Sequence, residues 1–249
     1  MSQILDAMAF GEANVGLTTP WLLAVDHACN RIPSELGQLG LRPAELERHI
    51  AYDIGALAVA HLLAELLPAT VIWSQTSRLV IDCNRPLASP NLIPPSGDEG
   101  IIPANQAVSQ TQREWRIGEF WQPYHQRIEA ILEQRQQMGI RTHYIAVHSM
   151  TPKLGDNVRT MDGAVLYRAP SRFGIRLAHY MREQFGLVIA ENEPYQLTDQ
   201  TDYSVPFHAE RRGLEYLEFE LRQDLITDAE GQQVWAQRLC EALTALERQ

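Results

Sequence analysis

The sequence predicts an α/β fold, a three-layer α/β/α sandwich with a mostly parallel mixed sheet. Short apolar runs alternate along the chain with longer segments of helical periodicity. Crossovers between parallel strands are right-handed, so the helices cover both faces of the sheet. The 249 residues are 45% hydrophobic, which suits one domain with a substantial core, and we expect a single domain over residues 1–249.

The predicted strands are short apolar runs, several of them bounded by turn-forming residues. They are WLLAV (21–25), TVIWS (70–74), RLVID (78–82), YIAVHS (144–149), VLY (165–167), LVIA (187–190) and LEYLEFEL (214–221). The predicted helices, which carry apolar residues at helical spacing, cover 44–67, 111–137, 171–185 and 229–249. We expect a bend at Pro123 and an N-cap at Ser171, and a long loop over 89–106, which is rich in Pro, Gly and Asn.

Composition narrows the possible partners. The net charge of −10 argues against nucleic acid, because binding polyphosphate requires a basic surface. The three cysteines form no CxxC pair, which favours a reducing compartment over a disulfide framework. The first residues do not have the pattern of a signal peptide, and no apolar stretch reaches the roughly 18 residues of a membrane span. We therefore expect a cytoplasmic protein that acts on a small molecule, without nucleic-acid or membrane partners.

Polar side chains follow the predicted strands, where ligands bind in sheets of this kind. His27 comes directly after the first strand and His148 lies at the end of another. A catalytic zinc commonly takes two histidines and one carboxylate, so this pair could begin a metal site. The candidate third ligands are Asp26, Asn30 and Asp53; Asp53 is chemically the best, and Asp26 could instead orient an imidazole.

Two glutamates share one face of the predicted strand 214–221, because residues i and i+2 point to the same side. A carboxylate on a buried strand is desolvated and has a raised pKa, which suits a general base. Glu220 is the candidate base and Glu218 competes for the role. The alternative for Glu220 is an ion pair with Arg222 or Arg211.

The segment SRLVIDCNRP (77–86) brackets an apolar centre with two arginines, Arg78 and Arg85. Burying an unpaired guanidinium is costly. These arginines therefore either neutralise structural carboxylates or bind an anionic ligand.

Taken together, the motifs resemble those of the N-formylglutamate amidohydrolase family. They occur in family order: DHACNRIP (26–33), YDIGALA (52–58), SRLVIDCNRP (77–86), VHSMTP (147–152), NEPY (192–195), HAERRG (208–213) and EFELRQDLI (218–226). The resemblance implies a phosphorylase/hydrolase-like sandwich, related to zinc carboxypeptidases and aspartoacylases. It also implies metal-assisted hydrolysis of an N-acylated acidic amino acid such as N-formylglutamate.

The resemblance also implies roles for individual residues. The metal, zinc, would be held by His27, Asp53 and His148; Asn30 stands where the relatives' HxxE motif has its glutamate, which moves the third ligand to Asp53. The catalytic residues would be Glu220, preferred over Glu218, and Arg78, which would stabilise the oxyanion. The substrate-binding residues would be Asn84 and Arg85 for one carboxylate, with His208, Arg159 and Arg211 as candidates for a second.

Two readings from other classes remain open on sequence alone. A non-catalytic module that binds a small carboxylate would need the arginines but not the His/Asp/Glu set. A thiol hydrolase would use Cys29 or Cys83, which flank the site motifs, and would need a supporting His–Asp pair.

Overall fold

The computed structural model describes residues 9–97, 100–168 and 171–247. Within them, a sheet of seven strands has the order β1-β3-β2-β4-β7-β5-β6. Its strands are β1 (Phe10–Ala13), β2 (Trp21–Val25), β3 (Thr70–Ser74), β4 (His143–Met150), β5 (Gly163–Leu166), β6 (Ile189–Glu191) and β7 (Glu215–Arg222). Strands β3, β2, β4 and β7 are mutually parallel, β1 pairs antiparallel at one edge, and β5 and β6 run parallel to each other but antiparallel to β7.

The helices have the bounds α1 (Pro43–Leu46), α2 (Ala56–Leu66), α3 (Gln110–Arg116), α4 (Gln122–Gln137), α5 (Arg172–Phe185) and α6 (Ala229–Glu247). Two π-helical segments, Ile117–Trp121 and Ser204–Ala209, and four 3-10 turns, Ser34–Leu36, Pro103–Asn105, Glu210–Arg212 and Gln223–Leu225, lie between them. Two short hairpins pair Ser96–Gly97 with Gly100–Ile101 and Lys153–Leu154 with Asn157–Val158.

Helices cover both faces of the sheet, so the predicted three-layer α/β/α class is confirmed. On one face α2, α5 and α6 bury apolar side chains against Leu23, Val71 and Ile145. On the other face α4 packs against Leu22 and Tyr144, the neighbours of opposite parity on the same strands. Strands β2, β3 and the first part of β4 are therefore apolar on both faces, as buried parallel strands are, whereas β7 has its glutamates on one face.

Most predicted elements occur within a few residues of their expected bounds. Strand β6 is displaced from the predicted 187–190, and the strand predicted at 165–167 begins earlier, as β5. Ser171 caps α5 as predicted, because its Oγ accepts from the Gly174 amide at 3.1 Å. Segment 89–106 is mostly irregular, and residues 98–99 lie outside the described part.

Two predictions about local structure were wrong. The predicted helix 44–67 is interrupted between α1 and α2, where Gly55 adopts a left-handed φ of +81°. Residues 78–82 form buried turns instead of a strand. The predicted helix 111–137 is helical throughout, from α3 through the π-helical segment Ile117–Trp121 to α4, with Pro123 in the first turn of α4. No helix in the described ranges combines the length and the apolar character needed to cross a membrane.

Candidate active site

A cavity of about 610 Å³ opens at the carboxyl ends of the parallel strands. His27 follows β2 and lines the cavity, and so do His148 on β4 and Glu220 on β7, which lie in register with each other. Glu218 precedes Glu220 by two residues and so shares its face. The cavity is lined by His27, His148, Glu218 and Glu220 among others, as expected for ligand sites in α/β sheets.

Asp53 reaches the cavity from the turn before α2, and not from within a helix as predicted. Its amide donates to the His27 carbonyl at 2.8 Å, which ties this turn to the end of β2. Gly55 completes the turn at positive φ, and a Cβ there would lie 2.3 Å from the Ile226 carbonyl oxygen. Only glycine therefore fits between Asp53 and α2 without displacing the neighbouring chain.

His27, Asp53 and His148 converge on one point. One ligand atom from each lies within 4.8 Å of the others, and all three residues are buried. The Nδ1 atoms of His27 and His148 face Asp53 Oδ2 at 3.4 Å and 2.8 Å. Two imidazoles and one carboxylate match the donor set of a catalytic zinc.

A second carboxylate stands behind each imidazole. His27 Nε2 donates to Asp82 Oδ1 at 2.7 Å, and His148 Nε2 lies 3.3 Å from Asp26 Oδ2. Asp26 is itself fixed, because its Oδ1 accepts from Tyr124 Oη at 2.8 Å and from Ser204 Oγ at 2.6 Å. This pattern holds each ring with Nδ1 towards Asp53, as carboxylates orient metal-binding histidines.

The described residues around this point have the electrostatics of a cation site. Burial on its own lowers the pKa of an imidazole, yet the neighbouring carboxylates raise the pKa of His27, and raise the pKa of His148 well above its usual value. His27 Nδ1 is buried without a hydrogen-bond partner. A divalent metal would satisfy that nitrogen and balance the carboxylates, so the donor set fits the metal that the sequence predicts.

The segment 77–85 contributes Arg78, Leu79, Asp82, Asn84 and Arg85 to the cavity wall. Its backbone bonds do not form a ladder: the Ser77 amide donates to the Arg31 carbonyl at 2.8 Å, and the Asp82 amide to the Leu92 carbonyl at 2.7 Å. The apolar centre Leu79–Ile81 is buried in a separate cluster beneath these turns. Because the segment turns instead of extending, Asp82 reaches His27 and Arg78 reaches Asp53.

Arg78 and Arg85 both line the cavity, but with different partners. Arg78 Nη2 donates to Asp53 Oδ1, while its Nε is buried without a hydrogen-bond partner. Arg85 Nη1 donates to the Thr201 carbonyl, and the guanidinium lies 3.8 Å from Asp82 and 3.9 Å from Asp202. Arg78 thus holds the carboxylate of Asp53, whereas the two carboxylates near Arg85 lie beyond hydrogen-bond distance.

Asn84 lies in the cavity wall, but its side-chain oxygen has a structural task. Its Oδ1 accepts from the amides of Tyr203 and Ser204, at 3.1 Å and 3.0 Å. Asn84 therefore anchors the π-helical segment Ser204–Ala209 beside the cavity.

Glu218 and Glu220 face the cavity from β7, and each has an Oε2 that is buried without a hydrogen-bond partner. Burial raises the pKa of Glu220 to about 7, and it raises the pKa of Glu218 well above the usual range. Neither forms the ion pair with Arg222 that the sequence left open, since Arg222 pairs with Asp224 at 2.8 Å. A carboxylate with a pKa near 7 suits proton transfer at neutral pH.

Two of the residues predicted to bind substrate lie outside the cavity wall. His208 is completely buried, and its Nε2 lies 2.8 Å from His125 Nδ1. Arg159 is also buried and donates to the Thr151 carbonyl at 3.0 Å and to the Tyr195 hydroxyl. Neither side chain lines the cavity, although Arg159 contacts Thr151 and Tyr195, which do.

Among the wall residues to which the sequence assigned no role are His49, Tyr195 and Asp202. His49 precedes Asp53 by four residues, and its Nδ1 lies 3.7 Å from Asp53 Oδ1; burial lowers the pKa of His49 to about 3, so it is neutral. Tyr195 belongs to the NEPY motif, which was the available signal. Asp202 lies in a polar loop that gave none.

The cysteines do not have the surroundings of a nucleophile. Cys83 is buried, and burial strongly raises the pKa of its thiol. Burial also raises the pKa of Cys29. A catalytic cysteine needs a lowered pKa, so the thiol-hydrolase alternative is not supported.

Comparison with known proteins agrees with this geometry. The family model "N-formylglutamate amidohydrolase" matches residues 19–227. The chain belongs to this family. None of the curated proteins that were compared matches it. Among solved structures, gene product Atu2144 from Agrobacterium tumefaciens is similar at 33% identity, with 97% of each chain covered and a TM-score of 0.91.

A second solved structure supports the fold. N-formylglutamate amidohydrolase from Ralstonia eutropha JMP134 matches with a TM-score of 0.70 at 18% identity, covering 96% of this chain and 97% of that one. Membership of the N-formylglutamate amidohydrolase family makes the chain one of a family of amidohydrolases.

Proposed function

We propose that this protein is a metal-dependent hydrolase that cleaves the formyl or acyl amide bond of an N-acylated amino acid. One observation carries the proposal: His27, Asp53 and His148 converge within 4.8 Å in the same cavity that Glu220 lines. The family match supports the reaction type, and N-formylglutamate, an acidic substrate, is the example that the family description suggests.

The triad would hold the divalent metal, which the sequence predicts to be zinc. When bound, such an ion supplies Lewis-acid stabilisation of a carbonyl and lowers the pKa of water. The protein's own contribution is to keep the three donors fixed, through Asp82 behind His27 and Asp26 behind His148. A non-catalytic binding module would have no need of these two orienting carboxylates.

Glu220 would act as the general base and then as the general acid. It accepts a proton from the attacking water as the new C–O bond forms at the carbonyl carbon. It then gives that proton to the amine nitrogen as the C–N bond breaks, so the products are a carboxylic acid and a free amine. Its pKa of about 7 suits both transfers, since a catalytic group works best with a pKa near the working pH.

The two arginines would take different parts in the reaction. Arg78 keeps Asp53 in place through Nη2 and still has an unpartnered Nε, which can donate to the carbonyl oxygen as negative charge develops there. Arg85 would bind the carboxylate of the substrate, since a guanidinium pairs with a carboxylate through two parallel hydrogen bonds.

The test combines metal content and turnover. Wild-type protein purified without chelator should contain about one zinc per chain by mass spectrometry and hydrolyse N-formyl or N-acyl amino acids; His148→Ala should lose both. His179→Ala is the matched control, because His179 is a largely exposed histidine whose partner is Glu183 on the surface of α5. Full activity in metal-free protein would refute the proposal.

A further inference from the structure

The cavity offers one guanidinium to a substrate carboxylate. Among its described lining residues, the permanently cationic side chains are Arg78 and Arg85. Arg78 is already bonded to Asp53 Oδ1. Arg85 donates to a backbone carbonyl and has its nearest carboxylates, Asp82 and Asp202, at 3.8 Å and 3.9 Å. Arg85 is therefore the cation that a substrate carboxylate can reach at close range.

The remaining charged groups of the wall are acidic. Asp53, Asp82, Asp202, Glu218 and Glu220 give the wall five carboxyl groups against the two guanidiniums of Arg78 and Arg85. A second substrate carboxylate in this cavity would meet like charge instead of a partner. An unpaired carboxylate removed from water is strongly disfavoured.

Asp202 is the acidic residue that faces the carboxylate-binding end. Its Oδ2 accepts from the Thr198 amide at 2.9 Å and from Thr201 Oγ1 at 2.6 Å, so the side chain is held in place. Its Oδ1 lies 3.9 Å from Arg85 Nη1. A carboxylate bound by Arg85 is thus tolerated beside Asp202, but a second one nearby would have no cation of its own.

The other candidates for a second carboxylate do not line this cavity. The ring of His208 is buried with a lowered pKa, and Arg159 is buried with Nη atoms that donate to the Thr151 carbonyl and the Tyr195 hydroxyl. Arg48 and Lys153 line a neighbouring cavity of about 440 Å³, on the far side of Thr151 and Leu154. Asn91 and Gln196, which are among the uncharged polar residues of the main cavity, suit a neutral side chain.

We propose that this enzyme prefers N-acyl amino acids with a single carboxylate and an uncharged side chain over N-formylglutamate. This rests on the proposed function and narrows its substrate class. N-formyl-L-glutamine and N-formyl-L-glutamate form the decisive pair, because they have nearly the same shape and differ by one charge. The neutral ligand should bind at least tenfold more tightly.

The experiment measures binding and turnover separately. Affinities for the two ligands are measured by calorimetry on zinc-loaded Glu220→Gln protein, in which hydrolysis is blocked, and kcat/KM is measured on the wild type. A preference for glutamine in both supports the proposal. Equal values or a preference for glutamate would overturn it while leaving the hydrolase function intact, whereas absence of both binding and turnover would overturn the two together.

A variant that removes one carboxylate from the cavity wall tests whether the wall causes the preference for the neutral substrate. Asp202→Asn should improve kcat/KM for N-formylglutamate severalfold more than for N-formylglutamine, which narrows the ratio. Asp199→Asn is the matched control: Asp199 lies in the same loop, is largely exposed and pairs with Arg168. An unchanged ratio in Asp202→Asn, or an equal change in Asp199→Asn, would contradict the inference.

Discussion

Asp82 and His27 are joined by a buried hydrogen bond, in which His27 Nε2 donates to Asp82 Oδ1 over 2.7 Å. The bond leaves His27 Nδ1 directed at Asp53, 3.4 Å from its Oδ2. Carboxylates in this position typically contribute 10–100-fold to metal affinity. We expect Asp82→Asn to weaken zinc binding by about that factor, measured by competition with a fluorescent chelator. Asp199→Asn should bind zinc like the wild type; an unchanged affinity in Asp82→Asn would mean that the bond is only structural.

Glu220 and Glu218 are expected to differ in what they contribute. Glu220 lies in register with His148 on the adjacent strand, and it has the pKa of about 7. Glu220→Gln should keep stoichiometric zinc and lose about 10²–10⁴-fold in kcat, since this is the usual effect of a general base. Glu218→Gln is the matched comparison and should lose less. If Glu220→Gln turned over normally and Glu218→Gln did not, the two assignments would be exchanged.

Arg85 should affect binding and Arg78 turnover. Arg85→Lys removes the bidentate geometry but keeps the charge, so it should mainly raise KM for N-acyl amino acids. Arg78→Lys removes the free Nε donor and should lower kcat, by the roughly 10²–10³-fold of one lost oxyanion donor. Steady-state kinetics on both variants separates the effects. Arg141→Lys is the control, because Arg141 is exposed and pairs with Glu215. A change in kcat alone for Arg85→Lys would contradict the assignment.

Gly55 fixes the turn that presents Asp53. A Cβ at Gly55 would lie 2.3 Å from the Ile226 carbonyl oxygen, in addition to the strain of a φ of +81°. Gly139 has a φ of +68° with open space around it, so Gly139→Ala isolates the strain, about 1–2 kcal/mol. Gly55→Ala should cost about 1–3 kcal/mol more in the free energy of unfolding, measured with urea, because of overpacking. Equal losses in the free energy of unfolding in the two variants would show that the chain at Ile226 moves to make room for the added Cβ.

The buried pair of His125 and His208 should make the fold sensitive to acid. The backbone carbonyl of Cys83 can only accept a hydrogen bond, so His125 Nε2 donates to it at 2.9 Å. Both imidazole rings of the pair are neutral. Burial lowers the pKa of His125 from 6.5 to about 4 despite the nearby Asp26 carboxylate.

Because the folded pKa lies below the unfolded one, the unfolded state takes up the proton first as the pH falls. The contribution of His125 is therefore unaffected above pH 6.5, and about 3 kcal/mol of stability is lost between pH 6.5 and 4. Urea unfolding at pH 7 and pH 5 should show a smaller pH dependence in His125→Phe than in the wild type. His179→Phe, at an exposed site, should keep the wild-type slope. The same slope in all three proteins would contradict this account.

The sheet could be predicted because apolar runs of four to eight residues report burial on both faces, as in β2, β3 and β4. His27 and His148 could be found because they end such runs. The position of Asp53 in a turn could not be predicted. The apolar periodicity of 44–67 continues across Gly55 and does not show that this glycine adopts a positive φ. The contact of Asp82 with His27 could not be predicted for a related reason: Leu79–Ile81 has the composition of a strand, while the backbone bonds of the segment go to distant turns.

The Asp53 amide donates a backbone hydrogen bond of 2.8 Å to the His27 carbonyl. This bond joins the turn that carries Asp53 to the end of the strand that precedes His27. The histidines stand on or just after strands of a buried sheet, whereas Asp53 stands on a connection between helices. That connection is held by this bond, by Gly55 and by the bond from Ser149 Oγ to the Ile54 carbonyl at 2.9 Å. Local opening of a connection costs less free energy than opening of core strands. Metal bound by all three residues would therefore be linked to the closed form of this turn, and the cell's supply of zinc would set how protected the turn is from proteases.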